Sequence, residues 1–463
     1  MAISDGIQYA GEYKLLECNL LSSTGVVARL DTSVIEINIF ENISTQGIMC
    51  SLVIVDNNNL VMNMPIVGQE FVTLKIKTPG LDDDVIDYTE NCFSVYKVSA
   101  RQDVANSAQV YELSLISPES IRNVNKRVSK SYEGETSDIF VKIMRDEKLI
   151  NTNKDIIVDK TSSVKKYVAP NTRPYSFIGN LVRESGSYQY SDSPHYFFYE
   201  TTRGYQFRVL DSLYAEPSKG EFVASEPGII DTPSKVGNLE EDFRRILEFG
   251  ITQSSDTFIS SAAGLLGSNL IKYNIFHKNY TKHTFNYFDN FKDFGRIDEN
   301  PIYNQTPIDE FGNTLGDFPD AKIYVHPTSN DGTHSSNHYN TDTGYTYTDN
   351  GAEKWLLSRR AKSIEFLRGC LSVQLKIHGT TTLSVGDKIN LTLPITGKTH
   401  GGSEIETNYQ GDFLITKLRH IFNQSERRHT IAMSVIKDST PFEYSNAFDS
   451  SEPKGSKGQT IIQ

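Results

Sequence analysis

Tryptophan is almost absent from this chain: one Trp stands among 463 residues, against 24 Tyr and 24 Phe. The aromatic mass is therefore phenyl and phenol, which suits β-rich packing. Cysteine is also scarce. Cys18, Cys50, Cys92 and Cys370 lie too far apart to form a CxxC zinc or redox pair, so they read as thiols in a reducing compartment. Long hydrophobic runs are missing. The longest, Gly47 to Val55, is broken by Ser51 and falls well short of the roughly 20 residues that span a bilayer. Met1-Ala2-Ile3-Ser4-Asp5 lacks the basic and apolar regions of a signal peptide, so synthesis in a cytoplasm without membrane insertion is expected. Positive charge is in deficit, 46 Lys and Arg against 58 Asp and Glu, a net −12. That excludes a general nucleic-acid binder, whose affinity comes from cations on phosphates. It suits a surface that DNA passes without sticking.

What is present is mostly strand pattern. Glu36 to Phe40 alternates polar and apolar, and Phe71 to Thr78 sets Val72, Leu74 and Ile76 against Thr73, Lys75 and Lys77. Ile48 to Val55, Phe93 to Val98 and Val110 to Ile116 complete a set of short strands, which predicts an antiparallel barrel or sandwich over 1–118. Residues 119–215 predict a small α+β unit. Ser137 is placed to cap a helix bearing Ile139, Phe140, Ile143 and Met144, and Pro174 to open a second helix that Gly186 ends. A hairpin turns at Arg203-Gly204. Residues 277–355 are polar and rich in turn signals, so they read as an insertion. Residues 441–463 read as a flexible tail.

A self-match runs through the chain. Phe93-Ser94-Val95-Tyr96-Lys97-Val98 pairs with Phe413-Leu414-Ile415-Thr416-Lys417-Leu418, and Leu113-Ser114-Leu115-Ile116 with Met433-Ser434-Val435-Ile436, both at an offset of 320. Val67-Gly68-Gln69 pairs with Val385-Gly386-Asp387 at offset 318, after which the alternation slips by one residue, so either a bulge intervenes or the match is weaker there. Ile35 to Phe40 also matches Ile271 to Phe276. These matches predict two related β-barrels, the second built from 216–276 plus 356–440 and split by the insertion. Three copies of such a chain can close a ring of six similar units, joining a hexameric partner to a trimeric one.

The order of elements adds a resemblance. A β-barrel precedes Ala169-Pro170-Asn171-Thr172-Arg173-Pro174-Tyr175 and the hairpin Phe198 to Phe207. Ala263-Gly264-Leu265-Leu266-Gly267 then leads to Asn269-Leu270-Ile271-Lys272-Tyr273 and the split second barrel. Over most of residues 1–440 this resembles the central baseplate hub protein of contractile-tailed, T-even-type bacteriophages, related to the hub part of VgrG spike proteins. The resemblance implies a mainly β fold with α+β insertions. It implies a homotrimeric, pseudo-six-fold ring joining the tail tube or its adaptor to a separate trimeric cell-puncturing spike. DNA would pass through the ring, and tape-measure and baseplate wedge proteins are possible further partners. It places the protein in the virion's tail baseplate, as a structural protein and not an enzyme. It carries no catalytic, cofactor-binding or metal-binding residue.

Other chemistry is weaker. Gly397-Lys398-Thr399 lacks the first glycine of a phosphate loop, since position 392 is Thr392. His334 and His338, with Asp331 and Asp342, sit in loop sequence where helical metal spacing does not hold. His277, Lys278, Tyr280, Lys282 and His283 interleave aromatic and basic residues, a single-strand-binding pattern for which a strand edge with exposed cations is the plainer account. Glu240-Glu241-Asp242 with Arg244-Arg245 reads as a solvated ion-paired face. The sequons at Asn42, Asn279, Asn304, Asn390 and Asn423 carry no weight in a cytoplasmic product. The competing functions are a β-rich glycan hydrolase, whose paired carboxylates can lie far apart in sequence, and a glycan-binding module using the tyrosines as platforms.

Overall fold

A computed structural model describes residues 7–57, 60, 64, 66–80, 85–105, 108–162, 164–190, 193–224, 239–253, 256–274, 278–328, 353–394 and 409–442. They form two compact units. One takes the described residues of 1–254 and 371–437, the other those of 255–331, 351–370 and 438–463. The expected tail, the Gly397 segment, His277, His334 and His338 fall outside the described residues, apart from Pro441 and Phe442.

The chain opens with seven strands: β1 (Lys14–Leu21), β2 (Val27–Arg29), β3 (Val34–Asn42), β4 (Met49–Asp56), β5 (Phe71–Lys77), β6 (Ile86–Ala105) and β7 (Ala108–Ile116). They pair antiparallel in the order β2-β1-β5-β6-β7-β4-β3. Alternation puts one residue in two inside, so Leu20, Ile39, Leu52, Leu74, Phe93 and Leu113 are fully buried in one core. Burying a side chain of this kind contributes about 1.5–3 kcal/mol.

The α+β segment follows, with β8 (Ser131–Glu135), β9 (Ile156–Val158), β10 (Val164–Val168), β11 (Tyr196–Thr201) and β12 (Gly204–Val209). Helix Thr136–Arg145 buries Ile139, Phe140, Ile143 and Met144 on one face. Its N-cap is Glu135, not Ser137. Ser137 lies in the first turn and bonds Thr161 instead, so its hydroxyl serves tertiary packing. Pro174 does open helix Pro174–Glu184, which stops before Gly186. The β11–β12 hairpin needs Gly204, at φ +114, because a Cβ there would collide with the Asp155 carbonyl.

The second barrel begins with β13 (Ser218–Ala224) and β14 (Arg245–Gln253). The chain then enters the other unit, which holds β15 (Gly267–Asn274), β16 (Asn279–Asn286), β17 (Asn300–Pro301), β18 (Ile323–Thr328) and helix Glu353–Ile364. It returns for β19 (Leu371–His378), β20 (Lys388–Thr392), β21 (Gly411–Asn423) and β22 (Arg428–Lys437), and ends in β23 (Ser439–Thr440), which pairs β17. Strands β13-β14-β19-β22-β21-β20 close on themselves, β20 pairing β13, so six strands make a closed barrel.

The two barrels repeat one another strand by strand. Sheet order β3-β4-β7-β6-β5 recurs as β14-β19-β22-β21-β20. The register breaks between Val95 and Lys97 against β7, and at the same place 320 residues on, between Ile415 and Lys417 against β22. It also breaks between Val34 and Glu36 against β4, and between Ile246 and Glu248 against β19. The counterpart of Ile35 to Phe40 is therefore Leu247 to Thr252, not Ile271 to Phe276. Ile271 lies in β15, which pairs β16 and β18 in a separate sheet. The copies differ in their first strand, since β1 runs antiparallel to β5 whereas β13 runs parallel to β20.

The insertion is likewise more than loops, and it starts near residue 255. Leu265, Leu270, Phe285, Tyr287, Tyr303 and Leu357 form its own core. Arg296 is buried between Glu365 at 2.5 Å and Asp438 at 3.1 Å. Buried charge of this kind is tolerated only when paired.

Two predictions follow from packing. Phe93 and Phe413 hold equivalent, fully buried places. Phe93→Ala and Phe413→Ala should each cost about 3–5 kcal/mol, read as a lower urea midpoint. The second concerns His420 and His429, whose rings meet at 3.1 Å (Nδ1 to Nε2) in full burial beside Phe422. Burial pulls His420 down to about 3, and burial plus His420 holds His429 well below its usual value. Both stay neutral when folded, while the unfolded chain takes up protons near pH 6.5. Stability from this pair is therefore complete above pH 6.5 and is lost as the pH falls toward 3. Each imidazole should remove about 1.4 kcal/mol between pH 7.5 and 5.5. Replacing both by Asn should flatten the urea midpoint across that range.

Candidate functional site: a paired seam and two bare edges

Three carboxylates fix the parts of the first unit. Glu41, fully buried, accepts from Ser384 Oγ (2.7 Å), Val385 N (2.8 Å) and Thr202 N (2.8 Å), so one side chain ties both barrels to the β11–β12 hairpin. Burial raises its carboxyl against the pull of those donors. Glu200 accepts from Lys154 (2.6 Å), Ser117 Oγ (2.8 Å) and Ile48 N (2.9 Å). Glu119 shares the same Lys154 at 3.0 Å. Glu119, on helix Pro118–Asn125, and Glu200 thus form a buried carboxylate pair joined by Lys154.

The barrels meet along one ladder. β3 pairs β21 antiparallel from Glu36↔Asn423 to Asn42↔Lys417. Strand β3 thus uses both edges, β4 on one side and β21 on the other. Strand β21 manages this by dividing its length. Gly411 to Leu414 pairs β20, and Lys417 to Asn423 pairs β3. The bulge at Thr416 marks the change of partner.

The equivalents of these two strands are β14 and β6, and each has a bare edge. On β14 only Arg245 and Ile246 pair β13, so Leu247 to Gln253 have β19 as their single strand partner among the described residues. On β6, pairing with β5 stops at Ser94, and from Lys97 onward β7 is the single strand partner among the described residues. Burial agrees. Ile39 on β3 is 0% exposed, while its equivalent Ile251 is 45% exposed. After Ser99, β6 departs from the β21 pattern with a second break before Gln102, and Ala100 has φ +54.

Across the seam runs a continuous sheet face turned away from the barrel cores. A groove of about 600 Å³ opens on it, lined by Phe40, Glu248, Gln374, Lys376, Lys417 and Arg419 among others. Arg419 donates from Nε to Asn38 Oδ1 at 3.0 Å, approaches Glu36 at 3.5 Å and lies over the Phe40 ring. Lys376 pairs Glu248 at 2.9 Å.

The other sequence candidates do not converge. Lys278, Tyr280, Lys282 and His283 lie on or beside β16, where Lys282 reaches Asp320 at 3.4 Å. Glu240 pairs Arg244 at 2.7 Å one helical turn away, on an exposed face as expected. Among the described residues no group of three His, Cys, Asp or Glu side chains gathers to hold a metal. Sequence reasoning missed the bare edges, although Leu247-Glu248-Phe249-Gly250-Ile251 repeats the apolar alternation of Ile35-Glu36-Ile37-Asn38-Ile39.

No protein-family model matches the chain, and no curated protein matches its sequence. Solved structures do match. A tail protein from Neisseria meningitidis MC58 aligns over 93% of this chain and 98% of its own, with TM-score 0.51 and 10% identity. The 43 kDa tail protein of prophage MuSo2 from Shewanella oneidensis aligns over 91% and 98%, with TM-score 0.51 and 9% identity. An E. coli type VI secretion component, described as structurally similar to T4 tail proteins gp27 and gp5, aligns over 94% and 78% at 10% identity with TM-score 0.42. At such identity the shared property is the fold, and this chain has the fold of the Neisseria and Shewanella tail proteins.

Proposed function

We propose that the chain is the structural hub of a contractile phage tail baseplate and that three copies close a ring. The observation that carries this reading is the repeated pair of edges, joined inside the chain as β3 and β21 and bare at its two ends as β14 and β6. Strand β14 of one copy adds to β6 of the next, antiparallel, as β3 adds to β21. Such a contact is head-to-tail, and a rotation that returns after three copies closes it. The product has six similar barrels from three chains. One end then fits a hexameric tail tube or adaptor, the other a trimeric spike, with tape-measure and wedge proteins around it and DNA passing through. Assembly takes place in the host cytoplasm and the product resides in the virion. The role is mechanical and uses no catalytic residue. A glycan hydrolase or glycan-binding module gains nothing from paired barrels with matching edges.

Transferring the register of Arg419↔Phe40 puts Ser99 of one copy opposite Thr252 of the next. Opposed residues in antiparallel strands have Cα atoms about 4.5–5.5 Å apart, within disulfide reach. Oxidised Ser99→Cys/Thr252→Cys protein should run as covalent dimers and trimers on a non-reducing gel, and the wild type should not. Ultracentrifugation should find three times the chain mass, since obligate interfaces typically bury about 2,000 Å² or more. Ile251→Lys, a charge on the adding edge, should weaken assembly at least tenfold while leaving the monomer folded. A chain that stays monomeric at high concentration and forms no cross-link overturns the ring. Turnover or binding of a glycan by that monomer would favour the alternatives.

A further inference from the structure

Lys97 and Lys417 occupy the same place in the two barrels, one residue beyond the matching bulges and opposite Ser114 and Ser434. Both are exposed on the sheet face that carries the groove, and neither forms an ion pair among the described residues. The nearby cations differ, because Arg419 is engaged with Glu36 and Lys376 with Glu248. Glu112 is the remaining carboxylate on this stretch, opposite Ser99. A chain of net −12 thus presents Lys97, Lys376, Lys417 and Arg419 here against three carboxylates, so its excess acid does not lie on this face.

We propose that Lys97 and Lys417 form a belt of six ammonium groups around the channel and that this belt grips the phosphate backbone of a DNA duplex threaded through it. The inference rests on the ring reading above. Eight strands of each chain (β14, β19, β22, β21, β3, β4, β7 and β6) would form the wall. Twenty-four strands at roughly 4.8 Å spacing give a backbone diameter of about 37 Å. The repeat places all six lysines at one height. An opening of this width lets a duplex meet cations on every side, whereas a single extended acidic peptide would touch only one arc of the belt. Lysine is a mobile point charge without base-reading geometry, so the grip is independent of sequence and suits a strand that must slide.

Fluorescence anisotropy of a linear duplex with the ultracentrifugation-verified trimer tests the belt. Six contacts predict a log K against log salt slope of about −5. Lys97→Gln/Lys417→Gln should lower affinity at 50 mM salt at least tenfold and flatten the slope by about 5, with the trimer intact. Lys97→Arg/Lys417→Arg should retain binding. A covalently closed circle of the same sequence, which cannot thread, should bind at least tenfold more weakly. Equal binding of the circle, an unchanged slope in the Gln variant, or preference for poly-glutamate over the duplex overturns the belt while the ring stands. Failure to trimerise overturns the ring and the belt with it.

Discussion

A seven-residue ladder between β3 and β21 is the constraint on which the first unit depends. It joins two barrels that each have a core, and it does so with backbone hydrogen bonds that tolerate no slip, since a shift of one residue would turn Ile37 and Ile39 outward. Side chains lock the register from both faces. Arg419 spans Asn38 and Glu36 on one face, and on the other Phe422 enters the first core beside His420 and His429. Glu41 seals the end of the ladder. Its burial is tolerable because Ser384, Val385 and Thr202 supply the hydrogen bonds that water would otherwise give.

Much of this was legible in the sequence, and the exceptions have physical causes. The offset of 320 was visible because β6–β7 and β21–β22 are local hairpins whose buried faces demand the same apolar spacing. The slip after Gly68 and Gly386 is real. Glu70 and Asp387 follow these glycines in corresponding places, each with a carbonyl that accepts from Val95 N or Ile415 N. Gly68 and Gly386 share left-handed backbone at φ +89 and +94. The match of Ile35 to Phe40 falls on Ile271 to Phe276 instead of β14 because Ile271 to Tyr273 alternates just as a barrel strand does. Alternation reports that a strand has a buried face without saying which sheet supplies the cover. Ser137 misled for a similar reason, since a cap-forming hydroxyl also fits a tertiary bond to Thr161.

The bare edges were invisible for a different reason. Pairing across β3 and β21 links residues nearly 400 positions apart, and no local pattern encodes that an edge is used or left open. The insertion's core was hidden by composition, because Arg296, Glu365 and Asp438 are buried ions that read as surface residues in a sequence.

The place where the insertion enters has a consequence of its own. It departs after β14 and returns at β19, and the same hairpin in the first copy, β3 to β4, is crossed by residues 43–48 alone. A connection at the rim of a barrel can lengthen with little penalty, because closure entropy grows only with the logarithm of loop length. The repeated strands have therefore stayed alike while one of the two equivalent corners has lengthened. One barrel turns this corner in a few residues, while its twin makes the same corner the entry and exit of a separately folded unit.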